Sequence, residues 1–226
     1  MANVLLGVTG SVAAIRTPEL YSALMAAGHE VKVAATQASL YFFDPAALGP
    51  RDPARPARNP AAVILDEDEW PGRTEGRRFQ RGDPVLHIEL RRWADLLAIA
   101  PLDANTLAKL ACGLADNCLT CVWRAWDTTR PVVLAPAMNT LMWDHPLTAR
   151  HLRQLAADAA KEPIPDSLSL DDLILWLNGH CPGLRVVPPE SKRLACGDLG
   201  MGALAALESI VAAIGESLHN AQGRST

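Results

Sequence analysis

His87 and Cys196 are the two side chains whose type and setting best suit proton transfer. His87 falls in the first turn of a predicted helix, where the helix dipole disfavours an imidazolium and leaves a neutral ring able to accept a proton. Position alone slightly favours the alternative, a half-buried histidine that packs beside Leu86 and Leu90. The position of His87 at the helix start is therefore compatible with two interpretations, a base and a packing residue.

Cys196 lies in a glycine-rich segment, residues 192–202, in which Lys192 and Arg193 precede the thiol. Neighbouring cations favour the thiolate and make a cysteine reactive. Core cysteines are uncommon in such glycine-rich loops, although a structural thiol is the alternative. The segment predicts a flexible flap that carries a reactive cysteine.

Small polar residues follow four predicted strands. Ligands of an open parallel sheet collect beyond the carboxyl ends of its strands. Hydroxyl and amide groups with free N–H donors suit a phosphate and a polar ring system. Each turn alone is more often a helix cap, and only the coincidence of four favours a ligand site. The turns are residues 9–11, 36–39, 101–106 and 136–140.

The first turn differs from a dinucleotide-binding fingerprint. Residues 7–12 lack the third glycine of that motif, and no acidic residue lies cleanly at the end of the second strand. A ligand with a single phosphate therefore fits better than NAD.

Cys118 and Cys121 form a C-x-x-C pattern. A structural zinc site needs a second pair of ligands, which the sequence lacks, so no metal is expected. A redox dithiol is conceivable, but helix-core cysteines beside Leu114 and Val122 are favoured.

The elements that position these residues alternate between strand and helix. Residues 4–8 and 30–35 read as strands on either side of a helix with apolar residues at helical spacing: Val12, Ile15, Leu20, Leu24 and Met25. Further strands are predicted at 94–100, 131–135 and 184–187, and further helices at 84–93, 106–115, 146–160 and 203–218. Such units build a parallel sheet with right-handed crossovers. The predicted fold is α/β, a Rossmann- or flavodoxin-like sheet with helices on both faces.

Two stretches interrupt this alternation. Residues 44–82 are rich in proline and arginine and predict a long surface excursion, with a short strand at 62–65. Residues 158–183 predict a second irregular insertion, with a helix at 170–178. We expect one domain over residues 1–218 and a flexible tail over 219–226. Regular structure returns after the first stretch at Asp83 and Pro84, which are predicted to be the cap and the first residue of the helix that contains His87.

Composition excludes several functional classes. The 226 residues carry a net charge of −4, with 49% hydrophobic and 20% charged residues, which argues against a basic nucleic-acid binder, a disordered chain and a membrane protein. Five scattered cysteines do not suggest a disulfide framework. No export signal is visible, so a cytoplasmic location is expected.

Four blocks resemble one family, the homo-oligomeric flavin-containing cysteine decarboxylases. The blocks are residues 83–95, 101–106, 136–143 and 192–202, and the resemblance covers most of 4–157 and 184–212. It implies FMN bound at subunit contacts, in a homotrimer or an assembly of trimers. The implied cofactor contacts are Gly10 and Ser11 at the phosphate, Thr36 and Ser39 nearby, and Asp103, Ala104, Asn105, Thr106 and Ala137 elsewhere.

The resemblance also implies roles around a substrate. His87 would be the catalytic base, and Asn139 would hold the substrate carboxylate with Met142 beside it. Cys196 would donate a proton from the flap. In such chemistry flavin first takes hydride from the carbon bearing sulfur, so that loss of CO₂ can place electrons on sulfur and give an enethiolate. A flap cysteine is typical of members that reduce this product to a saturated thiol.

The expected reaction converts 4′-phosphopantothenoylcysteine to 4′-phosphopantetheine in coenzyme A biosynthesis. Because residues 44–61 and 158–183 depart from the family pattern, the alternative is decarboxylation of a C-terminal cysteine in a modified-peptide pathway, with an aminoenethiol as product. A third hypothesis is a flavin-binding regulatory subunit that inhibits a phosphatase. Such regulators have long acidic tails, and residues 221–226 are short and not acidic.

Overall fold

The sheet is parallel throughout, as predicted. The computed structural model describes residues 1–49, 63–70, 72–73, 75–193 and 199–223. Its six main strands lie in the order β3-β2-β1-β4-β5-β6, so the order reverses between β1 and β4. The strands are β1 (Asn3–Val8), β2 (Glu30–Ala35), β3 (Val63–Leu65), β4 (Leu96–Leu102), β5 (Val132–Pro136) and β6 (Leu184–Val186).

Helices cover both faces of the sheet, because each face has its own apolar cluster. Leu5, Leu97 and Leu134 face one cluster, while Leu6, Ala98 and Val133 face the other. This alternation along each strand is the period-2 pattern of a sheet buried on both sides. The helices are α1 (Thr17–Ala26), α2 (Leu86–Trp93), α3 (Ala104–Cys112), α4 (Cys118–Arg124), α5 (Thr140–Trp143), α6 (Pro146–Ala159), α7 (Leu170–His180) and α8 (Leu207–Gln222).

The first helix differs from the prediction in its start and in its buried face. Residues Val12–Arg16 form a 3₁₀ helix, and α1 begins only at Thr17. Of the predicted apolar stripe, Leu20 and Leu24 are buried as predicted, whereas Val12, Ile15 and Met25 are exposed. The change of helix type alters the angle between successive side chains, so a single 3.6-residue period does not hold across both segments.

The helix that carries His87 begins later than predicted. Its first residue is Leu86 and its N-cap is Val85. Asp83 was expected to cap it, but its carboxylate accepts a hydrogen bond from the Gln80 N–H at 2.9 Å and pairs with Arg77 at 2.6 Å. His87 nevertheless stays in the first turn, as predicted.

The two predicted insertions contain more regular structure than expected. In the first, the short strand is confirmed as β3, and a 3₁₀ helix over Asp66–Glu69 follows it. In the second, the predicted helix is α7, which extends to His180 and buries Leu173 and Leu177 against the sheet. Buried apolar residues on one face of α7 make it part of the core rather than an irregular excursion.

The predicted flexible tail is wrong for its first four residues. Helix α8 continues through His219 to Gln222, because Leu218 is still buried and holds the last turns against the sheet. Residues 224–226 lie outside the described residues. None of the helices over the described ranges is long and apolar enough to cross a membrane.

The two ends of the predicted flap are strands that pair in an antiparallel hairpin. Strand β7 (Glu190–Arg193) pairs with β8 (Leu199–Ala203). The hairpin is bonded to the loop after β5, since the Met138 N–H donates to the Gly202 carbonyl at 2.9 Å. Gly202 has φ of 126°, and a Cβ there would overlap the Met138 carbonyl oxygen. This position requires glycine both for its backbone and for the close approach.

Replacing Gly202 with alanine should release the hairpin from the loop after β5. A side chain in this left-handed conformation costs about 1–3 kcal/mol even without the overlap. We expect faster hydrogen exchange at the Met138 amide and a lower midpoint of thermal unfolding in Gly202→Ala. Gly215→Ala is the matched control, because a Cβ on this helical glycine meets nothing within 4 Å. Unchanged exchange at Met138 would contradict the role assigned to Gly202.

Candidate functional site

The turns that follow β1, β2, β4 and β5 meet at one edge of the sheet, as predicted. The Thr9 hydroxyl donates to the Pro101 carbonyl at 2.8 Å and accepts from the Asp103 N–H at 2.7 Å. The Thr36 N–H donates to the Val8 carbonyl at 3.0 Å. These bonds join neighbouring turns at the point where the strand order reverses, which is where open α/β sheets bind ligands.

Gly10 lies at the centre of this crevice. A Cβ added at Gly10 would approach the Ala38 Cβ to 2.7 Å and Asp103 Oδ2 to 3.1 Å. The turns after β1, β2 and β4 therefore leave room for backbone alone. Close approach of backbone at a glycine is typical of the turns that cradle a phosphate.

Thr36 and Ser39 differ in what their hydroxyls can offer. Thr36 is 6% exposed, and its Oγ1 has no hydrogen-bond partner among the described residues. Buried hydroxyls are rarely left without a partner, so this oxygen suits a ligand. Ser39 is fully buried, and its hydroxyl donates to the Thr36 carbonyl at 2.7 Å. Ser39 thus shapes the turn that presents Thr36.

Three predicted site residues cap helices as well. Ser11 Oγ accepts from the Ala13 N–H at 3.3 Å. Asp103 caps α3 by accepting from the Thr106 N–H at 2.7 Å, and Asn139 caps α5 by accepting from the Leu141 N–H at 2.9 Å. The capping interpretation of these turns is therefore confirmed. The same hydrogen bonds fix the three side chains at one edge of the sheet.

The remaining predicted site residues line the same edge. Thr106 and Ala137 are buried, Ala104 is half-buried, and Asn105 and Met142 are exposed. Ala137 is tied to the end of β4 by its N–H, which donates to the Leu102 carbonyl at 2.9 Å. Cys196 lies outside the described residues, within the stretch that joins β7 to β8.

His87 has a partner that the sequence analysis missed. Its Nδ1 lies 2.5 Å from Glu69 Oε1, and the Glu69 side chain is only 2% exposed against 20% for His87. Glu69 ends the 3₁₀ helix that follows β3, so it reaches the ring from 18 residues upstream. The sequence signal was four consecutive acidic residues, 66–69, directly after a buried strand.

Two other members of this acidic run fix its position. Asp66 accepts from the Gln37 N–H at 3.2 Å and from the Cys118 N–H at 3.3 Å, and thereby joins the end of β2 to the start of α4. Burial raises the pKa of Asp66, while the two N–H donors act in the opposite direction. Asp68 accepts from the Leu65 N–H at 2.8 Å. Glu69 therefore stands on a rigid turn.

Within one chain, His87 and Asn139 lie on opposite sides of the crevice. Glu69 follows β3, whereas Asn139 follows β5, and the strand order places four spacings between these strands. In the strand order, β2, β1 and β4 therefore lie between the strand that precedes Glu69, the partner of His87, and the strand that precedes Asn139.

Of the C-x-x-C pair, Cys118 is a core cysteine as the favoured interpretation predicts, whereas Cys121 is only half-buried. Cys118 is buried, and its pKa lies well above the ordinary value, first because of burial and then because of the Glu69 charge. Burial also raises the pKa of Cys121, so neither thiol has the lowered pKa of a redox-active cysteine. The Leu114 side chain beside them is exposed rather than packed. Across the described residues, no group of three or more potential ligands could hold a metal ion.

A parallel sheet with a glycine cradle at its order reversal defines an α/β protein that binds a phosphate-bearing ligand. The chain belongs to the Flavoprotein family, whose model matches residues 1–219.

Similar proteins carry one recurrent name. The chain is 44% identical over 213 residues to a phosphopantothenoylcysteine decarboxylase from Mus musculus, a match that covers 94% of this chain and 85% of the relative. It is 47% identical over 203 residues to a phosphopantothenoylcysteine decarboxylase from Arabidopsis thaliana, covering 90% of this chain and 78% of the relative.

Solved structures agree with the fold. A cysteine-to-serine mutant of a PPC decarboxylase, complexed with pantothenoylaminoethenethiol, matches with a TM-score of 0.72 and 44% identity, covering 95% of this chain and 97% of the other. A protein described as FMN-binding matches with a TM-score of 0.68 and 44% identity, covering 95% of each chain. An FMN-dependent cysteine decarboxylase named SpaF matches with a TM-score of 0.66 and 26% identity, covering 98% of each chain.

Proposed function

We propose that the chain is an FMN-dependent carboxy-lyase that converts 4′-phosphopantothenoylcysteine to 4′-phosphopantetheine, a step of coenzyme A biosynthesis. The observation that carries this proposal is the 44–47% identity, over at least 90% of the chain, to relatives named phosphopantothenoylcysteine decarboxylase. The turns after β1, β2, β4 and β5, which hold the predicted cofactor contacts, follow neighbouring strands around the point where the strand order reverses, and this supports the proposal. Cys196 is outside the described residues.

The residues at the strand-order reversal fit FMN. Gly10 leaves space that a Cβ would fill, and Thr36 offers a buried hydroxyl with no partner in the described part of the chain. Gly10, Ser11 and Thr36 would hold the single phosphate, while Ala137 and the 103–106 turn would line the ring system. When bound, FMN supplies a two-electron acceptor for hydride from the carbon that bears sulfur.

His87 and Asn139 act on the substrate. His87 takes the thiol proton, which raises electron density on sulfur and prepares the neighbouring carbon for oxidation. Asn139 Oδ1 accepts from the Leu141 N–H, and this bond orients the amide so that Nδ2 is the group that donates to the substrate carboxylate. A neutral amide orients the carboxylate without the strong ion pair of an arginine, which would oppose departure of CO₂.

Cys196 would return a proton to the enethiol while it is reduced, so that the net reaction is not oxidative. In support, the solved mutant whose cysteine is replaced by serine is complexed with pantothenoylaminoethenethiol, an unreduced thiol. The hairpin that carries residue 196 is bonded to Met138, next to Asn139 in the chain. This attachment would keep the flap near the substrate carboxylate.

The active site would combine two protomers, with His87 from one and Asn139 from another. The three strands that lie between β3, which precedes Glu69, and β5, which precedes Asn139, support this arrangement. Exposed apolar side chains at the same edge support it as well: Ile15 is 58% exposed and Leu141 is 78% exposed. Large apolar side chains that a single chain leaves exposed are commonly buried at the core of subunit contacts. A homotrimer, as the family resemblance implies, would place such a site at each contact.

We further propose that residues 1–218 form one catalytic domain in a cytoplasmic enzyme. The family match over residues 1–219 supports the first statement. The second is supported by the unpaired state of Cys112, Cys118, Cys121 and Cys181, which suits a reducing compartment.

A peptide that ends in cysteine is the second candidate substrate. The observation that favours it is the similarity to the FMN-dependent cysteine decarboxylase SpaF, with a TM-score of 0.66. Its identity of 26% is well below the 44–47% of the phosphopantothenoylcysteine decarboxylases.

Product analysis tests the reaction. Purified enzyme incubated with 4′-phosphopantothenoylcysteine should release a thiol lighter than the substrate by CO₂ alone, as measured by mass spectrometry. His87→Asn should retain FMN and lose CO₂ release by at least about 100-fold, the usual size of a general-base contribution. A product lighter by CO₂ and two further hydrogens would contradict re-reduction. Faster turnover of a peptide ending in cysteine would favour the second candidate.

Gly10→Ala tests the phosphate cradle. Overpacking of this size costs about 1–3 kcal/mol, and such a loss would weaken FMN binding by about 10- to 100-fold. Titration of the apoprotein with FMN, followed by flavin fluorescence, measures the change. Gly179→Ala is the matched control, because a Cβ there meets nothing within 4 Å. Equal FMN affinity in the two variants would refute the assignment of Gly10.

Subunit complementation tests the shared site. His87→Asn and Asn139→Ala should each be inactive alone. Co-expression should restore activity to about a quarter of wild type, because random mixing pairs an intact His87 with an intact Asn139 at that fraction of contacts. No recovery, in mixed oligomers shown to contain both variants by mass spectrometry, would mean that each chain uses its own His87 and Asn139.

A further inference from the structure

We propose that Glu69 is a positioning residue for His87: its carboxylate fixes the neutral imidazole with the hydrogen on Nδ1, so that Nε2 is the nitrogen that accepts the substrate proton. This inference rests on the proposed function, in which His87 is the base. Glu69 touches neither substrate nor cofactor and acts only through the ring of His87.

The short contact between the two side chains sets the tautomer. Glu69 Oε1 lies 2.5 Å from His87 Nδ1. An ionised carboxylate only accepts hydrogen bonds, so the hydrogen between the two atoms belongs to Nδ1. A neutral ring with its hydrogen on Nδ1 has Nε2 as its acceptor. Partners of this kind determine which nitrogen of a histidine reacts.

The turn that carries Glu69 is held on two sides. Asp66 accepts hydrogen bonds from backbone N–H groups after β2 and at the start of α4, and Asp68 accepts from the Leu65 N–H. Glu69 is the last residue of this 3₁₀ helix, and its side chain is 2% exposed. The carboxylate therefore has little freedom, unlike a surface ion pair, and can hold the ring in one orientation.

A purely structural role accounts poorly for Glu69. Its carboxylate is buried beside the Cys118 thiol, which is a weak hydrogen-bond donor, and beside the ring of His87. An apolar side chain of similar size would cost less at this buried position. The contact with His87 is the feature that stability alone does not explain.

The negative charge of Glu69 also opposes the effect of the α2 helix dipole on His87. His87 lies in the first turn of α2, where the positive end of the helix dipole opposes an imidazolium. A base must nevertheless carry that charge once it has taken the proton. A carboxylate 2.5 Å from Nδ1 offsets the dipole at this stage, as the acidic member of a catalytic triad does.

The first measurement is the tautomer itself. Long-range ¹⁵N–¹H correlation spectra of ¹⁵N-histidine-labelled holoenzyme at neutral pH should show His87 with its hydrogen on Nδ1. The signal is assigned by its loss in His87→Asn. Glu69→Leu should abolish the predominance of this tautomer, whereas Glu69→Gln should retain it, because the amide oxygen still accepts from Nδ1–H. An unchanged His87 spectrum in Glu69→Leu would overturn the proposal.

The second measurement is kinetic. Glu69→Leu should lower kcat for 4′-phosphopantothenoylcysteine by about 10- to 100-fold, with FMN content unchanged. Glu69→Gln, which keeps the acceptor but not the charge, should fall between Glu69→Leu and wild type. Glu67→Gln is the matched control: it makes the same charge change in the same 3₁₀ helix at an exposed side chain. Full activity of Glu69→Leu, or an equal loss in Glu67→Gln, would overturn the proposal.

The two sets of outcomes separate the inference from the proposed function. If wild-type enzyme releases no CO₂, the proposed function fails and the inference fails with it. If wild type is active and Glu69→Leu matches it, only the role of Glu69 fails. Should Glu69→Leu not fold, the wild-type spectrum carries the test, because a His87 hydrogen on Nε2 instead of Nδ1 would overturn the proposal without any variant.

Discussion

The hydroxyl of Thr9 makes the interaction on which the site depends. Thr9 is fully buried where the strand order reverses. Its hydroxyl donates to the carbonyl of Pro101, near the end of β4, and accepts from the N–H of Asp103, the first residue after β4. Without this hydroxyl the Asp103 N–H would lose its acceptor, and the Pro101 carbonyl would keep the longer bond from the Thr9 N–H at 3.3 Å. With it, Asp103 is held beside Gly10, where a Cβ would come within 3.1 Å of Asp103 Oδ2 and 2.7 Å of the Ala38 Cβ. The space at Gly10 thus depends on how three neighbouring parallel strands end.

The rest of the edge is built in the same way, from side chains that satisfy backbone N–H groups. Asp103 and Asn139 cap the helices that follow their strands, and Asp66 caps α4 from a distant turn. These bonds use the polar atoms that helix starts leave without partners. The site is therefore rigid before any ligand binds, and the side chains that remain for chemistry are presented by a fixed frame.

Most of this frame was predictable, because its signals are local. Apolar runs ended by small polar residues predicted the strands and their turns, and the parallel sheet is confirmed. Glu69 was missed because its role depends on a contact with His87, 18 residues away, that exists only once β3 joins the sheet. Ile15 was assigned to a buried helical face because its spacing from Leu20 and Leu24 suits one, yet the chain there forms a 3₁₀ helix and exposes it. Local periodicity does not distinguish an apolar residue that packs in its own core from one that meets another protomer.

The difference between apolar residues of the core and apolar residues on the surface is also relevant to how the fold produces activity. Each face of the sheet has a complete apolar cluster of its own, so the single chain has the means to fold alone. The crevice edge, in contrast, has the proposed base His87 beside Glu69 and the proposed carboxylate holder Asn139 at the start of α5, with three strands between β3 and β5. In the proposed mechanism, stability and catalysis therefore make different demands on this sequence. The two apolar clusters can form within a single chain, whereas a shared active site would form only through association of chains.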